Sequence, residues 1–416
     1  MLPKLLQTAE PFRIHGFPRL FFATFVSGLG GSLVPIAFAL ESHRIEPSGW
    51  GLTAVLLSLW SGRFAGMFVV QRSRPARNPL RVMIFSDFVR FAAQAGLLAW
   101  LLSTGPGESP GQAITALSIS SGIYGVALAF FQPARFTAIP RLIPVGHRGQ
   151  VNAWLSVLGD AFAIIGPLMG SLIFLSFGFE AILLIDAAGF LAGIAVLSGI
   201  RLSAASGVQA PSPDEPPRAK PSSPRLPPGI NIGLLTWLFV ALTIGFLGTA
   251  GPTLVIEQSS AATWAVTAAF MAAGSLVGSA SSLIGILRKV PWKYLHLLCC
   301  VGIAGQLLCF LFVPLPALLW AAGFLGAALT TASGIHWDTL GQSLGDEPEV
   351  HAFAARDQIV NTVGVPLGML LFGVAGASGA TLFIVLAVAG AVALMGLLIV
   401  FTRQPVAVEV HPVPAG

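Results

Sequence analysis

The chain has 416 residues, 55% of them hydrophobic and only 9% charged, with a formal net charge of +5. Soluble domains carry about 25% charged residues, so this composition excludes a water-solvated globular fold and calls for a bilayer around most of the chain. The positive balance excludes nucleic acid as a partner as well: no polar face gathers it, and basic loops against anionic lipid account for it.

The chain starts MLPKLLQTAEPFRIHGFPRL, with no small-residue cleavage site behind a short apolar run, so no cleavable signal peptide is expected. A membrane span needs about 17–25 apolar residues. The first half predicts spans over 20–40, 50–70, 82–102, 113–131, 151–175 and 181–200. Pro133, Pro140 and Pro144 are expected to stiffen the loop between the fourth and fifth. Residues 201–229 then carry eight prolines, from Pro211 to Pro228, among Ser, Ala and charges. Such a segment has no apolar face to bury and reads as an extended linker. The second half predicts spans over 230–256, 262–287, 294–313, 317–335, 353–374 and 380–401. Only Pro314-Leu315-Pro316 separates the ninth from the tenth, so one long re-entrant helix is the alternative there. Cys299, Cys300 and Cys309 all fall in the ninth span and read as small core hydrophobes, not as metal ligands or disulfides. The expected fold is all-α and integral to the membrane. Twelve helices form two six-helix bundles, 1–200 and 230–416, joined by the 201–229 linker.

Basic residues fix the orientation. Lys4, Arg13 and Arg19; Arg72, Arg74, Arg77 and Arg81; Arg135, Arg141 and Arg148; Arg201, Arg218, Lys220 and Arg225; Arg288, Lys289 and Lys293; Arg356; and Arg403 fall in alternate gaps. The opposite side holds Arg44. This asymmetry places both termini in the cytosol of a multi-pass protein of the cell membrane. Trp50, Trp100, Trp237 and Trp292 are expected at span ends, where amphipathic rings settle.

A weak internal repeat supports the six-plus-six division. The fifth span carries Ile165-Gly166-Pro167-Leu168-Met169-Gly170 and the eleventh Val363-Gly364-Val365-Pro366-Leu367-Gly368. Proline removes a backbone hydrogen bond and bends a helix; glycine lets helices approach closely.

Ionisable residues inside spans cost at least about 2.5 kcal/mol each, so each is a functional candidate. Asp160 lies about ten residues into the fifth span, near the midplane at about 1.5 Å per residue. It fits two roles, a proton carrier or a structural hydrogen bond to a neighbouring helix. Arg63, in mid-span of the second helix, suits pairing with an acid or contact with an anionic substrate; it lies too deep to snorkel to the interface. Asp87 and Arg90 are three apart on one helical face and read as a gate or structural ion pair. Asp186 reads as structural. His336, Asp338, Arg356 and Asp357 flank the gap between the tenth and eleventh spans, as a latch or as a solvated loop. Glu257 ends the seventh span facing water. A phosphate-binding Gly-Lys-Ser/Thr loop and a His-Glu-x-x-His helix are both missing, so no enzyme and no cofactor is expected.

Three further stretches carry a family likeness: Phe130-Phe131-Gln132-Pro133-Ala134-Arg135, then Ala138-Ile139-Pro140-Arg141-Leu142-Ile143-Pro144, then Val151-Asn152-Ala153. With Gly166, Pro167 and Gly170, with Asp186-Ala187, and with Trp337 and Thr339, they resemble the major facilitator superfamily of secondary transporters. The resemblance is nearest to the branch of enterobactin exporters and macrolide-efflux proteins. It implies an antiporter-like motif at Gly166, Pro167 and Gly170, and a third-helix pair at Asp87 and Arg90. Gln71 stands where the family's loop carries an Asp, and Gly31 lies where the first helix often carries an acid. The expectation is a monomeric transporter with two bundles around an apolar cavity, exporting amphipathic drugs or secondary metabolites against proton entry. Asp160 and Arg63 would serve coupling and the cavity; Asp87, Arg90, Arg356 and Asp357 would form gate or structural pairs. A siderophore exporter, or a non-transporting receptor or scaffold, is the alternative. Reporter fusions at Ser206 and Gly416 should both report cytosolic ends; external labelling at either reverses the orientation.

Overall fold

The computed structural model describes residues 9–46, 50–73, 76–104, 109–201, 226–287, 290–344 and 347–401. Most of the 201–229 linker, with Arg218, Lys220 and Arg225, lies outside them, as do Lys4, Arg74, Arg288, Lys289 and Arg403. Among the described residues, twelve helices are long and apolar enough to cross a membrane. They are α1 (Phe17–Ile45), α2 (Trp50–Arg72), α3 (Pro79–Thr104), α4 (Pro110–Leu142), α5 (Arg148–Phe177), α6 (Phe179–Ser198), α7 (Pro228–Gln258), α8 (Ala261–Leu283), α9 (Trp292–Phe312), α10 (Pro316–Gly341), α11 (Glu347–Ser378) and α12 (Thr381–Val400). The all-α, twelve-span expectation therefore stands.

Local chemistry sets the helix starts. Ser109 caps α4 in a capping box, its hydroxyl accepting from the Gln112 amide at 3.4 Å, with Pro110 next in the chain. Ser260 caps α8 by accepting from the Thr263 amide at 3.1 Å. Pro316 opens α10, and α9 has already ended at Phe312. The ninth and tenth spans are thus two helices and not one re-entrant helix, because Pro314 and Pro316 supply no amide to continue the ladder.

One loop expectation is corrected. Pro133 and Pro140 lie inside α4, which runs on to Leu142. A transmembrane helix tolerates such prolines when side chains serve the disturbed backbone. The Thr137 hydroxyl between the two prolines adds a bond to the Pro133 carbonyl at 3.0 Å.

The chain divides by contact into two compact units. One is Met1–His147 with Val157–Ser212; the other is Arg148–Ser156 with Pro213–Gly416. The start of α5, Arg148–Ser156, thus groups with the second unit. Within the first unit, α2 packs on α4, α1 on α6, and α3 on both α4 and α6. Within the second, α8 packs on α10, α7 on α11, and α9 on both α10 and α12. Six helices on, the pairings of the second with the fourth and of the third with the fourth and sixth repeat, while the first helices differ: α1 packs mainly on α6 and α7 mainly on α11.

The Gly-Pro motifs act as seams. In the first unit, a Cβ on Gly166 would come within 2.7 Å of the Ser32 carbonyl, and one on Gly170 would strike the Ile36 side chain of α1. In the second, a Cβ on Gly364 would meet the Ala241 methyl at 2.8 Å, and one on Gly368 would strike the Leu242 carbonyl of α7. Only glycine permits backbones this close. Pro167 and Pro366 each lie within the continuous helix beside these glycines.

The burial pattern inverts that of a soluble domain. Leu175 is 80% exposed and Phe383 74%, while Asp87, Gln94 and Asp186 are fully buried. Apolar side chains face outward to lipid and polar ones face one another inside. Basic side chains at one end of each unit also serve carbonyls at helix ends: Arg19 donates to the Gly199 carbonyl after α6, and Lys293 to the Val400 carbonyl of α12 at 3.2 Å. At the other end of the first unit, Arg44 chelates Glu41 through Nε at 2.8 Å and Nη2 at 2.6 Å. Trp237 departs from the span-end expectation: it is buried, its ring centroid 5.4 Å from that of His296.

Overpacking a tight core costs about 1–3 kcal/mol. Gly170→Leu should therefore insert into the membrane but lose stability on that scale, read as a lowered unfolding midpoint in detergent. An unchanged midpoint would refute the close seam between α1 and α5.

Candidate functional site

Three buried ionisable groups of the first unit, Asp87, Arg90 and Asp186, converge on α3. Asp87, Arg90 and Gln94 are spaced three and four apart, so they form one stripe along one face of the helix. That face packs on α4 and α6, and all three side chains are buried. Arg90 Nη2 donates to Asp87 Oδ1 in a direct ion pair. The Ser27 hydroxyl of α1 donates to Asp87 Oδ2 at 3.2 Å. The Arg90 guanidinium also lies 4.3 Å from the Phe131 ring centroid, 4.8 Å from that of Phe190 and 5.7 Å from that of Tyr124. A desolvated guanidinium gains from such ring faces.

One turn further along, Gln94 Nε2 donates to Asp186 Oδ2 of α6 at 2.9 Å. The Ser120 hydroxyl of α4 donates to Gln94 Oε1 at 3.3 Å. Asp186 Oδ1 lies against the α1 backbone, where a Cβ on Gly30 would strike it. The arrangement sets two carboxyl groups and one guanidinium inside a single four-helix contact. Sequence reasoning found Asp87, Arg90 and Asp186 but missed Gln94, Ser120 and Ser27. The three-and-four spacing of Asp87, Arg90 and Gln94 was the signal that pointed to Gln94.

Asp160 and Arg63 are not members of this cluster. Asp160 is half-buried on α5, two residues before Phe162. Phe162 stacks toward Phe25 of α1 at 5.8 Å between ring centroids. Arg63 is half-buried on α2 and lays its guanidinium over Trp60, 4.9 Å from the ring centroid. Its Nε is buried without a hydrogen-bond partner among the described residues.

In the second unit Arg356 and Asp357 turn to different partners, as neighbours one apart on a helix must. Arg356 donates to Asn231 Oδ1 of α7 at 3.1 Å. Asp357 accepts from the Trp337 indole at 2.8 Å and from Asn361 Nδ2 at 3.1 Å. His336 contacts the carbonyls of Ala332 at 3.1 Å and Leu287 at 3.2 Å. Trp337 is one wall of an aromatic box. His296, fully buried, holds the Ser333 hydroxyl at 2.9 Å among the rings of Trp237, Trp292 and Trp337. No group of three or more His, Cys, Asp or Glu side chains suited to a metal occurs among the described residues.

The start of α5 is clasped to the end of α10 by two amides, a hydroxyl and one guanidinium. Asn152 Nδ2 donates to Gln342 Oε1 at 3.0 Å, and Gln342 Nε2 returns a bond to Asn152 Oδ1 at 3.1 Å. Asn152 also donates to the Thr339 hydroxyl at 3.0 Å, and Arg148 donates to the Gln342 carbonyl. Gly166, Pro167 and Gly170 lie further along the same helix.

The family model described as Major Facilitator Superfamily matches residues 20–356. No curated protein matches the chain. Among solved structures, the chain is similar to a bacterial homologue of the iron transporter ferroportin in an outward-facing state with soaked iron. Identity there is 14% and the TM-score 0.70, covering 93% of this chain and 99% of that one. It is also similar to the E. coli fucose:proton symporter FucP, at 15% identity and TM-score 0.67, over 94% and 98% of the two chains. A third is the human organic anion transporter MFSD10, at 15% identity and TM-score 0.66, over 92% and 98%. At these identities the likeness is one of fold.

Removing one partner of a buried ion pair costs about 3–5 kcal/mol. Arg90→Gln should lose stability on that scale, and adding Asp87→Asn should restore part of it. Unfolding in detergent measures both; a double variant no better than Arg90→Gln would show that the two side chains do not act as a pair.

Proposed function

The chain belongs to the Major Facilitator Superfamily, and on that premise we propose that this secondary transporter exports amphipathic small molecules in exchange for protons. The observation that carries the reading is Asp160. It is a carboxyl group inside a span, half-buried where Asp87 and Asp186 are sealed, on the helix that also bears the Gly166-Pro167-Gly170 seam. An acid placed between water and the bundle interior is suited to taking and releasing a proton. Asp160 is the exchanging acid in this reading and Arg63 the cation that answers it.

The substrate class follows from the surfaces on offer. Phe25 is 38% exposed beside Phe162, and in the second unit Phe270 stacks on Trp320 at 5.6 Å, with planes 10° apart. Half-exposed aromatic faces favour planar, largely apolar molecules. Arg63 favours a second cargo, an anionic chelator such as a siderophore, because a half-buried guanidinium with an unused Nε recognises carboxylates and similar anions. Gln71 and Gly31 replace acids common in the family and give the receptor or scaffold alternative its footing; measured flux separates it from transport. The rest of the proposal is a monomer in the cell membrane, both termini cytosolic, with residues 201–229 linking two six-helix bundles.

The test is flux by purified protein in proteoliposomes under an imposed pH gradient, with a panel of drugs and siderophores. Wild type should move at least one of them only while the gradient lasts. Asp160→Asn should lose net flux yet keep substrate exchange, which needs no net proton movement. Gradient-driven flux at the wild-type rate in Asp160→Asn would remove Asp160 from the role, and loss of exchange together with binding would make it a substrate ligand.

A further inference from the structure

Asp186 is the acid that the proposed cycle leaves unused, and its surroundings are unusual. It is fully buried on α6. One oxygen accepts from Gln94, and the other, Oδ1, has no hydrogen-bond partner among the described residues. The charged and titratable groups facing it are Arg90 and Asp87 on α3 and Tyr124 on α4, while α1 presents Gly30. Arg90 is committed to Asp87, yet its Nε is also without a hydrogen-bond partner among the described residues. The sealed interior therefore holds two carboxyl groups against one guanidinium.

Charge counting decides what this means. An unpaired ion in a low-dielectric interior is expensive, and a buried acid without a counterion takes up a proton instead. With both acids ionised the cluster carries one excess negative charge; with one proton it is neutral. Asp87 holds the ion pair and a hydroxyl donor, whereas Asp186 has only the Gln94 amide. We propose that Asp87 and Asp186 share one proton at a binding site sealed between α1, α3, α4 and α6, and that in this conformation it resides on Asp186. The two groups titrate as one unit.

The same geometry makes the site switchable. Arg90 reaches along one helix face, between an acid three residues before it and the Gln94–Asp186 pair one turn after it. Should the guanidinium pass to Asp186, the proton leaves that carboxyl and Asp87 takes it up; only the proton and the two hydrogen-bonded partners change. Gly30 is what leaves room for the Asp186 carboxyl beside α1, so movement of α1 against α6 bears directly on the site. A role for this proton in a transport cycle rests on the reading proposed above; its presence does not.

Infrared spectroscopy of the full chain in detergent at neutral pH, without substrate or gradient, tests the site. A protonated carboxylic acid shows its own carbonyl-stretch band, apart from those of carboxylates. Wild type should show such a buried band in the difference spectrum against Asp186→Asn, which cancels any band from Asp357. Asp186→Asn should lose it while remaining folded, since Asn still accepts from Gln94. Asp87→Asn should lose it too, because one carboxylate then matches one guanidinium, and Asp160→Asn should retain it. A wild type lacking the band, or a band that survives either Asp186→Asn or folded Asp87→Asn, overturns the proposal. If Asp87→Asn does not fold, Asp186→Asn decides alone. Lack of flux leaves the inference standing, and proton-driven flux without the band overturns this inference only.

Discussion

Hydrocarbon offers no hydrogen bonds, and the rest of this structure follows from that. A polar side chain in a span gains by finding its partner within the protein, and Asp186 Oδ1 and Arg63 Nε stand out because they find none among the described residues. Asp87 meets Arg90 and Ser27; Asp186 meets Gln94; Gln94 meets Ser120; Asp357 meets Trp337 and Asn361. These bonds dictate which helices touch. They join α1, α3, α4 and α6 in one unit and α10 with α11 in the other. Glycine seams then allow the backbones to come close enough for short side chains to reach.

The two units repeat one packing plan and fill it differently. In each, the third helix lies against the fourth and the sixth, and the first lies against the fifth through a glycine seam. The middle of the first unit is ionic, centred on Arg90. The second carries an aromatic box at the start of α9 and the end of α10, with His296 among three indoles. Ionic centres have alternative pairings, whereas a box of packed rings around one histidine has fewer. Chemistry that depends on charge is therefore concentrated in the first unit.

Much of the fold was legible because hydrophobicity counts along the chain. Twelve spans follow from apolar length alone, and Pro314 with Pro316 is enough to break α9 from α10. Helix ends were harder. Residues 132–142 are polar and proline-bearing, so local propensity stops α4 early, yet tertiary contacts carry the helix on to Leu142. Single site residues were legible where their cost is local: a charge in a span announces itself, as Asp87, Arg90, Asp160 and Arg63 did. Partners far away in sequence were not. Gln94 and Asp186 are 92 residues apart, and Gly30 matters only because Asp186 lies across from it. Asp186 therefore read only as structural until its neighbours were visible.

The clasp between Asn152 and Gln342 differs in kind from the pairs in the first unit. Both side chains are neutral amides, each giving and taking one bond, and both are buried. Dissolved ions weaken the attraction between charges but have nothing to screen between two amides. The strength of this amide pair is set by geometry and desolvation, so salt leaves it unchanged. Of the bonds that join α5 to the end of α10, only the one from the charged Arg148 to the Gln342 carbonyl would answer to a change in the salt of the adjoining water.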